Sequence, residues 1–271
     1  MKYTKLSSLL SLPIYRKLQF LLTCIFAILL LTAFTNSHAK TEFTDAKSLM
    51  RHVDRMWRSD SSHVLMSMKV KTSRYERTMK LESWTKGKEK SLIVIRSPKK
   101  DKGIATLKVD ENIWNYLPKI NRVTKVPASL MSGSWMGSHF TNDDLVKENT
   151  YEDDYISSIT FKGERDDKSI IEVTSVPKPD AAVVWGKVVT IIDQNNYVPL
   201  KASYYDEENL PIRTMIFDKI ITQGERVFPA RLILRPIDKP EESTIVEYVE
   251  ITFDLMLDDN MFSLHSLQKR R

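Results

Sequence analysis

Hydrophobic residues follow two different periods along this chain. Between Thr44 and Trp57 they recur every third or fourth residue, which predicts an amphipathic helix with Thr44 or Asp45 as its N-cap. After this helix, apolar and polar residues alternate, as at Val64 and Met66, which is the pattern of strands with one buried face. From Thr44 on, the sequence therefore predicts one helix followed by β-structure.

About a dozen alternating runs are separated by short turn sequences rich in Asp, Asn, Gly, Pro and Lys. Their spacing of about ten residues, without helices between them, favours antiparallel hairpins over βαβ units. One face of each run is polar, so the sheet is predicted to enclose something apolar, with the helix over that concave face. The runs are 63–71, 75–84, 90–96, 103–109, 112–117, 120–126, 155–162, 169–176, 186–193, 197–205, 211–221, 227–236 and 243–253.

Two stretches interrupt the alternation. Residues 127–143 form a loop longer than most compact domains contain, and such loops are often functional. The loop is rich in large apolar side chains, and Thr141–Asp144 after it resembles a capping box that opens a short helix. A second apolar excursion runs from Pro177 to Trp185.

The first 39 residues have the three parts of a secretory signal peptide. A basic stretch without acidic residues ends at Lys17, an apolar stretch covers 18–34, and Ser37 and Ala39 fit a small-x-small cleavage site. We therefore expect cleavage after Ala39, with residues 40–271 as one domain; an uncleaved anchor is the alternative. Cys24, the one cysteine of the chain, would leave with the leader, so the exported domain would have no disulfide.

Most of the net positive charge of the chain lies in the leader. The 271 residues contain 41 Lys and Arg against 35 Asp and Glu, a net charge of +6. Four of the basic residues and no acidic ones lie in the leader, which leaves a net charge of +2. Basic clusters at 96–102 and 119–125 are interpreted as the solvated face of alternating strands, so no nucleic-acid partner is expected.

Catalytic and metal chemistry find little support in the residue pattern. Ser134 directly follows Gly133, one place away from the serine of a Gly-x-Ser-x-Gly elbow, and loop serines more often cap turns. His139 has no second histidine at metal-ligand spacing, and Asp143 and Asp144 suit the first turn of a helix. The seven glycines include no Gly-x-Gly phosphate loop. We therefore expect no enzyme activity, no metal and no cofactor.

Large apolar side chains are the remaining candidate for function. Ten methionines and five tryptophans follow the leader, and methionine suits adaptable apolar surfaces. Most of these residues are expected to fill a core. Trp135 and Met136, between Gly133 and Gly137, fit a core least, because an apolar pair in a glycine-flanked loop can act as a lid or a partner contact.

Several segments together resemble the periplasmic outer-membrane lipoprotein-sorting proteins of the LolA-like superfamily. The most specific is SGSWMGSHFTNDDL at 132–145. Others in the same order are PKKDKG at 98–103, WNYLP at 114–118, RVTKVP at 122–127, WGKVV at 185–189, PLK at 199–201, YYD at 204–206 and DNMF at 259–262. The resemblance covers essentially the whole chain after the leader.

The resemblance implies a strongly curved, incomplete antiparallel β-barrel covered by the N-terminal helix and by a lid of loop and short helix. It also implies a periplasmic carrier that shields acyl chains of lipoproteins or lipids on their way to the outer membrane. An inner-membrane transporter and an outer-membrane acceptor would be its partners, and a lipid sensor or accessory module of an exporter is the alternative. The residues expected to bind ligand are Trp84, Trp114, Leu130, Met131, Trp135, Met136 and Phe140.

Overall fold

The computed structural model of the protein describes residues 43–147 and 151–269. The predicted leader and its cleavage after Ala39 lie outside the described residues. Within those residues, no helix is long and apolar enough to cross a membrane.

The first described element is the predicted amphipathic helix, α1 (Ala46–Arg55). Asp45 caps it, because its carboxylate accepts a hydrogen bond from the backbone N–H of Ser48 at 2.8 Å. The buried face consists of Ala46, Leu49, Met50 and Val53, which follow the helical period. These residues pack on Ile171, Val173, Ile192 and Tyr197, which lie in and next to two strands near one edge of the sheet.

Every predicted run forms a strand, and the strands make one antiparallel sheet of thirteen. They are β1 (Ser61–Lys71), β2 (Glu76–Lys86), β3 (Lys90–Ser97), β4 (Ala105–Val109), β5 (Asn112–Leu117), β6 (Arg122–Lys125), β7 (Tyr155–Arg165), β8 (Lys168–Pro177), β9 (Lys187–Asp193), β10 (Pro199–Tyr205), β11 (Pro211–Gln223), β12 (Arg226–Pro236) and β13 (Ser243–Phe253). The fold is therefore mainly β, as predicted.

The strand order explains where the long loop lies. The order is β6-β5-β4-β3-β2-β1-β13-β12-β11-β10-β9-β8-β7, so the sheet is open and its two edge strands are β6 and β7. These strands follow each other in the sequence, and the chain between them contains the apolar loop and the short helices α2 (Asn142–Lys147) and α3 (Tyr151–Asp154). The segment that the sequence marks as irregular therefore connects the two edges of the sheet.

The capping box at the start of α2 is confirmed. The backbone N–H of Thr141 donates to Asp144 at 2.8 Å, and the backbone N–H of Asp144 donates to the Thr141 hydroxyl at 3.1 Å. These reciprocal bonds satisfy two donors that a helix start would otherwise leave open.

The outer face of β2–β5 differs from the prediction of a polar, solvated face. Its apolar residues form a buried cluster with the C-terminal segment, which contributes Phe262 and Leu267 from a 3₁₀ turn (Asp259–Phe262) and α4 (Leu264–Lys269). The reason is visible in β3, where Leu92, Ile93, Val94 and Ile95 are consecutive, so apolar side chains point to both faces. In this half of the sheet, one apolar face is covered by the end of the chain itself.

Candidate functional site

The inner face of the sheet surrounds a cavity of about 260 Å³. This volume is near the lower end of ordinary small-ligand sites, about 300–1,000 Å³. Most of its wall is apolar and comes from strands of both halves of the sheet, from α1 and from the long loop. Side chains in the wall include Met66, Met68, Ile93, Met215, Phe217 and Leu232.

The alternation of the strands places these side chains on one face. In β1, Ser62, Val64, Met66 and Met68 line the cavity, while the intervening residues do not. The antiparallel register sets Met66 opposite Leu81 of β2, and both are cavity residues. Period-two patterning therefore positions the wall directly.

The long loop covers the cavity with Trp135. This side chain is only 5% exposed, lines the cavity, and donates from its indole Nε1 to the Thr106 hydroxyl at 3.1 Å. A backbone bond of 2.7 Å from Trp135 N–H to Phe140 carbonyl closes the loop on itself. Trp135 is therefore fixed at both its backbone and its ring.

Gly137 allows the loop to approach the turn between β1 and β2. Its φ of +68° lies in the left-handed region, and a Cβ there would be 2.9 Å from the Tyr75 hydroxyl. The Tyr75 hydroxyl donates to the Gly137 carbonyl at 2.5 Å. A larger residue at 137 would strain the backbone and push this contact apart.

A buried ion pair holds α2 over the cavity. We call the long loop and α2 together, residues 127–147, the cover. The Arg213 guanidinium donates to both carboxylate oxygens of Asp144, at 2.6 and 2.7 Å. Trp185 and Tyr204 lie against the guanidinium, with ring centroids at 4.3 and 4.5 Å. The two ionic residues and the two aromatic residues all line the cavity. The ion pair therefore connects the cover to β11 in the cavity wall.

His139 makes a fourth anchor for the loop. Its backbone N–H donates to the hydroxyl oxygen of Thr244 at 3.0 Å, and its ring nitrogens lie 2.8 Å from that hydroxyl and 3.0 Å from Glu242. The hydrogen bonds from His139 and from the Ser73 backbone lower the pKa of Glu242 to about 2. This carboxylate therefore remains ionised near neutral pH and ties the loop to the β1–β2 turn.

The cavity also has a polar part, on the inner face of β1, β2 and β3. Ser62 and Thr85 lie opposite each other and their hydroxyl oxygens are 2.7 Å apart. Ser83, Ser91 and the buried Arg58 also line the cavity. Hydroxyl groups can donate and accept, so this part of the wall can bind polar groups that the apolar part cannot.

Tyr155, at the start of β7, also lines the cavity, and the pKa of its hydroxyl is shifted. Burial raises the pKa of its hydroxyl above the ordinary value, so the phenol stays neutral. This residue offers a hydrogen-bonding group beside the apolar wall without adding charge.

The predicted ligand-binding residues separate into three groups. Trp135 and Phe140 line the cavity, and Met136 packs against the same apolar cluster. Leu130, 57% exposed, and Met131 lie in the loop outside the cavity lining. Trp84 and Trp114 belong to the cluster on the outer face, with the C-terminal segment.

Several wall residues did not emerge from the sequence as site residues. Arg213 and Tyr204 are strand residues whose side-chain direction depends on the register of β10 and β11. Trp185 ends the second apolar excursion, and Val183 and Val184 before it also line the cavity. That break in the alternation was the available signal for this part of the wall.

The loop serines act as turn residues. The Ser134 hydroxyl donates to the Ser138 carbonyl at 2.5 Å, and the Ser138 hydroxyl donates to the Trp135 carbonyl at 2.7 Å. Among the described residues, no group of three or more His, Cys, Asp or Glu side chains is arranged to hold a metal ion.

Comparison with solved structures identifies the fold. A DUF1329 family protein from Desulfovibrio piger aligns with a TM-score of 0.74 at 19% identity, covering 82% of this chain and 97% of its own. A LolA superfamily protein from Nitrosomonas europaea gives 0.70 at 21% identity, covering 83% and 100%. An outer membrane lipoprotein-sorting protein domain from Vibrio parahaemolyticus gives 0.68 at 21% identity, covering 83% and 98%.

Comparison by sequence gives a family. No curated protein matches the chain. A family model described as "Uncharacterized protein" matches residues 87–269, which is more than half of the chain. The chain therefore belongs to this family, and its fold is LolA-like.

Proposed function

We propose that this protein is a carrier that binds the acyl chains of lipoproteins or lipids in its cavity and moves them toward the outer membrane. The observation that carries the proposal is the apolar cavity behind a loop anchored by polar contacts. The proposal also includes export to the periplasm, with a signal peptide cut after Ala39. The similarity of this protein's fold to that of the lipoprotein-sorting protein domain from Vibrio parahaemolyticus supports the same function.

The wall suits an acyl chain for a physical reason. Each methylene group kept from water contributes about 0.8 kcal/mol, so a free acyl chain needs a shielded path across an aqueous space. Met66, Met68 and Met215 give the wall flexible and polarizable side chains, which can adapt to chains of different shape.

The polar part of the wall gives the ligand an orientation. Acyl chains would lie along the apolar wall beneath Trp135 and Phe140. A polar group of the ligand would then reach Ser62, Ser83, Thr85 and Ser91, with Arg58 beside them. This arrangement satisfies both parts of an amphiphile, because a buried polar group without a hydrogen bond is costly.

Binding and release need no covalent bond to be made or broken, so the proposed function is not enzymatic. The cover must open, and its anchors are the hydrogen bonds of Trp135 and Gly137, the ion pair of Asp144 and the His139 contacts, all of which can break and re-form. An inner-membrane transporter as donor and an outer-membrane acceptor are the partners that such a cycle requires.

Native mass spectrometry and lipid uptake together test the proposal. Protein purified from its own periplasm should retain lipid in a defined ratio, and delipidated protein should take up a fluorescent fatty acid. Absence of both signals would refute the carrier function. Binding without transfer to acceptor vesicles would instead support a sensor.

A matched pair of variants connects the uptake to the cavity. Trp135→Ala removes a side chain from the cover and should weaken uptake about tenfold or more, the effect of losing part of a buried aromatic contact. Trp114→Ala removes the same side chain from the outer face and should leave uptake unchanged. Equal loss in both folded variants would contradict a ligand in this cavity.

A further inference from the structure

We propose that the end of the sheet next to the cover docks on the surface of an anionic phospholipid bilayer. The docking surface consists of three turns, 72–75, 98–104 and 118–121, with the strand ends beside them. We call it the basic rim. This inference goes beyond the proposed function and holds even if the cavity binds no lipid.

The topology brings the three turns to one end. They connect β1 to β2, β3 to β4 and β5 to β6, and in a run of antiparallel hairpins alternate turns lie at the same end. Arg77 lies 4.0 Å from Asp101, which links the first turn to the second. A Cβ on Gly103 would lie 3.4 Å from Pro118, so the second turn contacts the third.

The basic clusters of the sequence meet at this rim. The sequence predicted them along the solvated face of alternating strands, but the structure places Lys99, Lys100 and Lys102 in the second turn. Residues 72–78, 97–104 and 117–122 together carry seven basic and two acidic residues. Six of the basic side chains belong to exposed residues: Arg74, Lys99, Lys100, Lys102, Lys119 and Arg122.

The two acidic residues of the rim do not cancel this charge at the surface. Glu76 is paired with Lys69 at 2.7 Å, and the side chain of Asp101 is only 19% exposed, next to Arg77. The exposed face of the rim is therefore strongly positive.

The same end of the other half of the sheet has the opposite charge. Turns at 206–211 and 237–242 contain six acidic residues and one basic residue. Since the chain after the leader is close to neutral, the rim is a local concentration of positive charge. A charged region of this kind selects a negatively charged partner.

An exposed apolar side chain distinguishes a bilayer from an acidic protein as partner. Ile120 is 63% exposed at the tip of the third turn, flanked by Lys119 and Arg122. The turn has a defined conformation. Asn121 adopts a left-handed φ of +49°, and its side-chain oxygen accepts a hydrogen bond from the buried Tyr116 hydroxyl at 3.1 Å. An exposed apolar tip among cations, with Leu117 also 39% exposed beside it, suits insertion at the boundary between headgroups and acyl chains.

The rim also contacts the cover. Tyr75 is 41% exposed in the first turn, and its hydroxyl donates to the Gly137 carbonyl of the loop. Docking there would place a bilayer beside the segment that must move for the cavity to open.

Vesicle sedimentation tests the rim. The full chain and a chain starting at Lys40 are both used, because the apolar stretch 18–34 would bind vesicles on its own and residues 43–271 form one compact unit. Binding to phosphatidylcholine vesicles with 30% phosphatidylglycerol is expected, and binding to pure phosphatidylcholine is expected to be much weaker. Raising the salt from about 0.05 to 0.5 M should largely abolish it.

Two matched pairs of variants locate the contact. Lys99→Gln with Lys100→Gln should weaken binding about 30-fold, roughly fivefold for each charge near the surface, whereas Lys168→Gln with Lys201→Gln should not. Ile120→Ser should weaken binding about tenfold, whereas Ile237→Ser, an exposed apolar residue of the acidic turns, should not.

Three results would overturn the proposal. The first is equal binding to neutral and anionic vesicles by the chain starting at Lys40. The second is a control pair that weakens binding as much as the rim pair. The third is binding to an acidic protein through the rim without any binding to vesicles.

Discussion

The outer face of β2–β5 and the inner face of β2 and β3 both carry large apolar side chains, yet they pack against different structures. On the outer face, Phe262 and Leu267 of the C-terminal segment are buried against Leu92 and Leu107, and the cluster is filled by the chain itself. On the inner face, β2 and β3 contribute Leu81, Ile93 and three hydroxyl side chains to a cavity that the loop covers without filling. The filled face serves stability, and the face left with space is where a ligand can bind.

The nature of the contacts differs between the faces as well. The C-terminal segment packs mainly through apolar side chains and is tied by Asp259 to Lys86 and Lys90 at its edge. The cover combines the packing of Trp135 and Phe140 with polar contacts at Thr106, Arg213 and Glu242. Packed apolar clusters resist opening because they lose many contacts together. Polar contacts can exchange with water, so we expect the cover to open, at the cost of the packing of Trp135 and Phe140, while the outer cluster stays intact.

Removal of a phenylalanine should affect the two faces very differently. Phe262→Ala empties part of the filled cluster and should lower the free energy of unfolding by about 3–5 kcal/mol. Phe140→Ala, at the partly exposed cover, should cost clearly less and should reduce fatty-acid uptake. Urea unfolding followed by circular dichroism measures the first effect, and equal costs would remove the distinction between the faces.

Removal of the buried ion pair should open the cover selectively. Asp144→Asn takes away the negative charge that Arg213 faces, a change that costs about 3 kcal/mol when a buried pair is broken. We expect the loss to appear as opening of the loop, seen as a red shift of Trp135 emission before global unfolding. In the double variant with Arg213→Met the emission should move back, because no buried charge is left.

An added side chain should be tolerated on one face only. Ala105 in the outer cluster and Ala202 in the cavity wall are both 3% exposed. Ala105→Leu should overpack the cluster and lower stability by about 1–3 kcal/mol. Ala202→Leu can extend into the cavity, so it should cost less than about 1 kcal/mol while reducing uptake. If Ala202→Leu destabilises as strongly, the cavity is not available space.

Acid should loosen the cover. Because hydrogen bonds lower the pKa of Glu242 to about 2, its ionised form stabilises the folded chain above the unfolded value of about 4.3. That contribution declines as the pH falls from about 4.5 toward 2. Glu242→Gln should flatten the pH dependence of the urea midpoint in this window, whereas Glu241→Gln, its exposed neighbour, should not.

The elements of the fold could be predicted from the sequence because their signals are local. The helical period before β1, the two-residue period of the strands and the capping box at Thr141 each depend on neighbouring residues. The loop with Trp135 could also be singled out, since it interrupts a regular pattern.

The remainder of the site depends on contacts between distant residues. Asp144 and Arg213 are 69 positions apart, and their pairing requires the register of β10 and β11. Trp84 and Trp114 have the same composition signal as Trp135, but they face the C-terminal segment, which the sequence did not place. Side-chain type alone does not tell which apolar face of a strand is filled and which is left with space.

Fluorescence quenching by a brominated fatty acid tests most directly whether the inner face holds the ligand. The five tryptophans divide between the faces, with Trp57, Trp135 and Trp185 in the cavity wall and Trp84 and Trp114 in the outer cluster. A variant with Trp84 and Trp114 changed to Phe should be quenched strongly at stoichiometric fatty acid. A variant with Trp57, Trp135 and Trp185 changed to Phe, used at fatty-acid concentrations where its uptake is shown by the fluorescent probe, should not be quenched. Equal quenching of both variants would contradict a ligand site in the cavity.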